Sequence, residues 1–367
     1  MNQNISLDDL LADLAELVSV ESPSHELEAL NRSAAALSGI IERRLGSRPH
    51  VIASEAGPIV HWSGGGVPNV LVLGHHDTVF PMGTLARRPF AISDGKATGP
   101  GVFDMKAGIV QSIHAVASLA DHSGVEILMT PDEEVGSEAS RSLLEARAHA
   151  CGRVLVLEPS ADGGALKTAR KGVGTFEVVV RGKASHAGLE PEKGINSLVA
   201  AAELIGTIAT FGDPALATTV TPTMATAGTA ENVVPAETRV RVDVRIEFPA
   251  EQLRLEQAMA ALASASTSVP GATVEILGGI NRPPMHASAS ASLFPVAELA
   301  AAAVGIHGIR GVGVGGGSDG NFTAALGIPT LDGLGAVGGG AHADHEYVMV
   351  DSMVERTMML AELITRL

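Results

Sequence analysis

Three short apolar runs in this chain end in titratable residues. Val70–Leu73 runs into Gly74-His75-His76-Asp77. Val125–Met129 runs into Thr130-Pro131-Asp132-Glu133-Glu134, and Val154–Leu157 into Glu158. The runs are strand-length, and Met105–Ala120 and Glu138–Ala148 between them have helical character. Strands alternating with helices predict a sheet with helices on its faces. Ligands of such sheets sit in the crevice beyond the strands' carboxyl ends. The chain therefore has to fold so that a histidine and several carboxylates collect there.

The organisation changes near Lys171. An opening helix over residues 5–21 (Leu7, Leu10, Leu11, Leu14, Leu17 and Val18 on one stripe, Ser6 as cap) belongs to the first texture. After Lys171, Thr175–Arg181 and Arg239–Phe248 alternate as half-buried strands do. Ile195–Thr210 reads as a helix, Thr218–Met224 as a strand, Ala250–Ser266 as a helix and Thr273–Ile280 as a strand. That order is β-α-β-β-α-β, a small α+β sandwich. It closes near Arg282-Pro283-Pro284. Glycine-rich sequence, Gly311–Gly317, and an N-capped helix, Asp351–Arg366, complete the chain. At 367 residues the length suits about two domains. They are not in tandem: 171–283 interrupts a domain made of 1–170 and 284–367.

Composition removes several functions. With 25 basic and 41 acidic residues the formal charge is −16, which argues against nucleic acid. Although 46% of residues are hydrophobic, largely alanine, no stretch of ~18 apolar residues runs unbroken, which argues against a membrane span. The N-terminal segment lacks a basic leader followed by an apolar core, so a cytoplasmic location is expected. One cysteine, Cys151, excludes both a disulfide scaffold and a four-cysteine zinc site.

The polar clusters supply a different ligand set. His75 follows a strand, and Asp77 two residues on lies on the same side, able to hold the ring's second nitrogen. Gly99-Pro100-Gly101-Val102-Phe103-Asp104 places an acid at a helix start, where an N-cap role competes with a ligand role. Three consecutive acids, Asp132-Glu133-Glu134, repel one another unless a cation is near; one carboxylate then binds it and its neighbour is free as a base. Glu158 ends the third strand, and His342 lies in Gly340-Ala341-His342-Ala343-Asp344-His345-Glu346. Two histidines and several carboxylates suit two zinc ions ~3.5–4 Å apart that share one carboxylate.

These clusters, with Lys183-Ala184-Ser185-His186-Ala187-Gly188, Glu231-Asn232-Val233-Val234-Pro235, Asp243-Val244-Arg245 and Gly317-Ser318-Asp319-Gly320-Asn321, run in order from about Val20 to the last helix. In that order they resemble the M20 metallopeptidases, and most of all their glutamate carboxypeptidase branch. The resemblance implies an α/β fold: a zinc-peptidase-like catalytic domain, a mixed sheet flanked by helices, with an inserted α+β ferredoxin-like lid used for dimerisation. It implies two Zn²⁺ per subunit, with Co²⁺ or Mn²⁺ as substitutes. His75 and Glu158 would bind one, Glu134 and His342 the other, and Asp104 both, with a cis peptide after this acid. Asp77 would orient His75, and Glu133 would be the general base. His186 would donate to the developing oxyanion, across a homodimer. Asn232 and Arg245 would hold the scissile group and the substrate's α-carboxylate, and Arg282 would be a second carboxylate-binding arginine. Lys171 and the Gly317–Asn321 loop fall near the substrate without an assigned role. His76 matches a variable position, and His345 reads as a surface residue.

The function so implied is release of a C-terminal amino acid from small N-acyl or N-peptidyl amino acids. Deacylases of the acetylornithine deacetylase and succinyl-diaminopimelate desuccinylase type, and dipeptidases, share the same machinery and remain alternatives. A reading from another class rests on Gly311-Val312-Gly313-Val314-Gly315-Gly316, a G-x-G-x-x-G pattern that would bind NAD. Its context is poor: the preceding strand is short and interrupted, and no long helix follows. A binding protein with a dead site is a third possibility, against which the intact Glu133 counts.

Overall fold

The apolar runs form the middle of a six-stranded sheet. In a computed structural model, residues 5–265 and 267–367 are described. Across the sheet the strands run His50–Ile52, Ile59–Ser63, Val125–Thr130, Val70–His75, Val154–Val156 and Thr330–Leu331. The last four are mutually parallel, and the first two add an antiparallel edge, so the sheet is mixed. Alternate side chains of the central strand enter different cores. Val70 and Val72 pack with the helices Leu7–Val18, Leu27–Leu45, Ala107–Ala117 and Ser352–Arg366. Leu71 and Leu73 pack with Arg141–Cys151 and Gly320–Ala325. Burial on both faces explains why these strands read as continuous apolar runs.

Helix boundaries differ from expectation by a few residues. The first helix is Leu7–Val18, with Ser6 accepting from the Asp9 amide at 3.3 Å. The expected Met105–Ala120 helix begins only at Ala107 and ends at Ala117. Asp104 and Met105 take non-helical backbone angles, and the peptide between them is cis. The expected Glu138–Ala148 helix is Arg141–Cys151. Asp351 stands at the N-cap of Ser352–Arg366 but makes no capping hydrogen bond with its side chain.

The chain divides into two compact units. One comprises residues up to Ala169 with Met285–Val314 and Ser318–Leu367; the other is Arg170–Pro284 with Gly315–Gly317. The second unit is a four-stranded antiparallel sheet in the order Thr219–Ala227, Glu237–Ile246, Gly172–Arg181, Thr273–Arg282. With the helices Ser197–Ile208 and Pro249–Ala261 it realises the β-α-β-β-α-β order. Phe176, Val178, Val180, Val240, Val242 and Val244 bury one face under those helices, and alternate residues remain exposed or half-buried. The second helix stops at Ala261, followed by one tight turn to Ser264. Its expected end, Ser266, lies outside the described residues. Gly311–Val314 is a strand paired with Leu166–Arg170, not a phosphate-binding turn into a helix. Among the described residues no helix is long and apolar enough to cross a membrane.

Candidate metal centre

Three neighbouring parallel strands deliver ligands to one edge of the six-stranded sheet. His75 is the last residue of Val70–His75. Glu133 and Glu134 follow Val125–Thr130, and Glu158 follows Val154–Val156. Asp104 comes from the turn before Ala107–Ala117. That turn needs glycine: Gly101 has φ +72, and a Cβ there would stand 2.5 Å from Thr78 Cγ2. His342 sits in the turn joining Gly338–Gly339 to Tyr347–Met349, itself in the left-handed region at φ 63. Non-glycine residues avoid that region unless the surroundings hold them there.

The side chains assemble into two trios that share Asp104: His75, Asp104 and Glu158, and Asp104, Glu134 and His342. His75 Nε2 lies 3.4 Å from Asp104 Oδ1 and 3.6 Å from Glu158 Oε1. His342 Nε2 lies 3.2 Å from Asp104 Oδ2 and 3.2 Å from Glu134 Oε2. Buried polar atoms are normally hydrogen-bonded. Here His75 Nε2, Asp104 Oδ1 and Glu134 Oε1 are buried with no hydrogen-bond partner. Unpartnered nitrogen and carboxylate donors pointing together fit a divalent metal of the zinc type.

Electrostatics without a metal express the same crowding. Burial disfavours a charged His75 ring, yet the carboxylates of Asp104, Asp77 and Glu158 hold its pKa well above the usual value. Asp104 and Glu134 push His342 up to about 10. Burial raises Glu134, whereas Asp104, despite burial, is held below the usual carboxylate range by the two imidazoles.

Asp77 does more than its expected task. His75 Nδ1 lies 3.0 Å from the Asp77 carbonyl oxygen and 3.3 Å from its carboxylate. That carboxylate, fully buried, also accepts from the Glu133 and Glu134 amides at 3.2 Å each and from Ser24 Oγ at 2.7 Å. Asp77 thus joins the loop of His75 to the loop of the two glutamates. Asp132, the first of the three acids, accepts instead from the Ala139 and Ser140 amides. His76 is buried between Pro58 O and Ser33 Oγ, a structural role. His345 is exposed.

The polar side chains of the Gly317–Asn321 loop are tied into the protein interior. Ser318, Asp319 and Asn321 are buried. Ser318 Oγ donates to Asp332, Thr130 Oγ1 and Ser137 Oγ donate to Asp319, and Asn321 Oδ1 accepts from the Ser318 amide. These residues support the strand ends from within rather than lining an open surface.

A residue that the sequence reading left without a role is Glu346. Its carboxylate is fully buried and accepts from three backbone amides: Gly101 at 2.9 Å, Phe103 at 2.9 Å and Asp104 at 2.8 Å. Burial pushes its pKa up to about 7, against the pull of those amides. Only its place inside the His342 cluster hinted at a function.

The remaining expected residues lie in the second unit. His186 Nδ1 accepts from the Gly188 and Leu189 amides at 3.1 Å each, so the proton of the neutral ring is on Nε2. The turn of Asn232 is adjacent: the Ala187 amide donates to Asn232 O at 2.9 Å. Arg245 makes a two-point contact with Asp243, at 3.0 and 2.9 Å, and is one-third exposed. Arg282 is buried at the end of Thr273–Arg282, and Lys171 Nζ donates to Ala217 O.

An α/β sheet edge that gathers two histidines and three carboxylates around unpartnered donors defines a metallohydrolase. The profile of Peptidase family M20/M25/M40 matches residues 71–366, and the chain belongs to that family. It is an enzyme of the metallo-carboxypeptidase and amidohydrolase type. Carboxypeptidase G2 of Pseudomonas sp. (strain RS-16) is 31% identical over 97% of this chain and 88% of its own. Among solved structures, the M20 family metallo-carboxypeptidase Sso-CP2 from Sulfolobus solfataricus shares the fold, with a TM-score of 0.78 and 17% identity, covering 98% of this chain and 99% of that one. So does the YXEP protein of Bacillus subtilis, described as a dinuclear metal binding peptidase, at TM-score 0.70, 17% identity and coverages of 97% and 96%.

Proposed function

We propose that the chain is a di-zinc amidohydrolase that releases a C-terminal amino acid, glutamate first among candidates, from N-acyl or short N-peptidyl substrates. The observation that carries this reading is the pair of ligand trios sharing Asp104, with buried donors that lack any other partner. Two Zn²⁺, held by His75, Asp104 and Glu158 and by Asp104, Glu134 and His342, would polarise the scissile carbonyl and bring the pKa of water down to about 7. Co²⁺ or Mn²⁺ would substitute.

The chain's own residues do the rest. Glu133, fixed through its backbone by Asp77, takes the proton of the attacking water and returns it to the leaving nitrogen. His186 carries its proton on Nε2 and so serves as a hydrogen-bond donor to the oxyanion. Arg245, Asn232 and Arg282 hold the substrate; Arg245 needs to exchange its Asp243 contact, in part, for the substrate's α-carboxylate. The working form is a cytoplasmic homodimer built on the inserted unit. The outer side of its edge strand Thr219–Ala227 has no strand partner among the described residues, and Met224 there is 61% exposed.

A hydrolysis panel tests the proposal: N-acyl amino acids, dipeptides and folate-like acyl-glutamates, before and after chelation. Acyl-glutamate cleavage that is lost with chelator and restored by zinc or cobalt is expected. A metal-loaded protein that hydrolyses no member overturns it. Preference for N-succinyl or N-acetyl diamino acids would favour the deacylase reading, supported here by the same ligand set.

A further inference from the structure

The turn that carries His342 closes a hairpin of Gly338–Gly339 and Tyr347–Met349, the second strand of which pairs with Lys96–Thr98. His342 is half-exposed, its backbone is in the left-handed region, and the following residues return through a tight turn, with the Ala343 amide donating to Gly340 O at 2.9 Å and the Glu346 amide to Ala343 O at 3.1 Å. Asp344 is almost wholly exposed and meets Arg88 at 3.2 Å, and Arg88 also donates to Ala343 O at 3.3 Å. The same turn carries one fully buried carboxylate, Glu346. Glu346 reaches the turn of the shared acid, 242 residues away in sequence, and takes three of its backbone amides. Those amides lead directly into Asp104, which Gly101 and the non-helical angles of Asp104 and Met105 hold out of the helix. Beneath the same turn, buried Lys106 donates to Val20 O at 2.8 Å and lies close enough to feel the Glu346 charge.

We propose that Glu346 is a positioning residue that sets the spacing of His342 against Asp104, and so completes the site shared with Glu134. The other trio shares Asp104, but its remaining two ligands have a frame of their own. His75 ends a central strand, its Nδ1 is held by Asp77, and Glu158 follows the neighbouring strand. Losing Glu346 loosens the His342 turn directly, and reaches the other trio only through the shared Asp104, while His75 and Glu158 keep their strand-end frame. The two sites therefore respond unequally, a result that a general loss of stability does not produce. Partners of this kind are worth about 10–100-fold in metal affinity.

The inference rests on the two-metal reading, and its test is metal uptake, not hydrolysis. Wild type and Glu346→Ala, stripped of metal, are titrated with Co²⁺ and followed by visible absorption and by bound metal after dialysis. Wild type should take up two equivalents. In Glu346→Ala the second should weaken by about 10–100-fold and the first by no more than a few-fold. Two equivalents of unchanged affinity, or parallel loss of both, overturns the assignment. If the alanine variant does not fold, Glu346→Gln is read in the same way: it matches the volume but turns an amide N–H toward backbone donors. A wild type that binds fewer than two equivalents overturns the two-metal reading and this assignment with it. Failed hydrolysis with two equivalents bound touches only the proposed activity.

Discussion

At the scale of single residues, the neighbouring acids Glu133 and Glu134 have different surroundings. Glu134 has a buried oxygen with no hydrogen-bond partner and lies against His342; Glu133 belongs to neither trio. Glu133→Gln should therefore lower kcat by about 10²–10⁴-fold while bound metal stays near two equivalents, measured by elemental analysis of the same preparation. Turnover near wild type would exclude Glu133 as the base. His75, Glu133, Glu134 and Glu158 were legible as candidates because they follow strands, and Asp104 and His342 because they stand in motifs that resemble a known family. Glu346 was not legible, because its partners are backbone amides more than 240 residues away and leave no trace in local sequence. The Arg245–Asp243 contact was hidden for a related reason. Alternation places both residues on one face of the strand but does not say that they pair.

Between elements, the opening helices are tied by charge as well as by leucines. Asp13, on Leu7–Val18, is buried and accepts from Arg44 at 2.7 Å, Arg43 at 2.9 Å and His114 at 2.7 Å, which lie on two other helices. Burial opposes a charged carboxyl here, but those hydrogen bonds outweigh it and hold the pKa well below the usual range. Removing one partner of such a group leaves the others uncompensated, so Asp13→Ala should cost about 3 kcal/mol. The sign with pH follows from the depressed value. The stabilisation is complete above the unfolded pKa of about 3.9 and is lost as pH falls toward the folded one. Urea unfolding should thus separate wild type from Asp13→Ala most widely at pH 7 and by about 1 kcal/mol less at pH 3; an equal gap at both would remove Asp13 from acid stability. The 3.6-residue stripe of this helix was plain in the sequence, since its leucines face one core. The short strands His50–Ile52, Ala91–Ser93 and Lys96–Thr98 were not, because three residues carry no period.

For the whole molecule, the inserted unit sets the remaining problem. Its β-α-β-β-α-β order was readable because its two central strands alternate and the segments between them change texture. What the sequence could not supply is which site, its own subunit's or a partner's, the proposed donor His186 would serve. The Nε2 proton makes that ring a donor, and the outer side of Thr219–Ala227 has no strand partner among the described residues. If the donor acts across a dimer, two crippled proteins should rescue one another. Glu133→Ala and His186→Ala are each expected to be nearly inactive. In a mixed dimer, the His186→Ala subunit keeps its own Glu133 and receives the partner's His186, restoring one working site. The other site carries both defects. Random reassortment of equal amounts makes half the dimers mixed, so activity should rise to about a quarter of wild type per total protein. If His186 acts within its own subunit, mixing restores nothing. Sedimentation of the active protein gives the companion measurement. A fully active monomer would remove the donor from the partner's site and leave the edge strand Thr219–Ala227 with some other purpose.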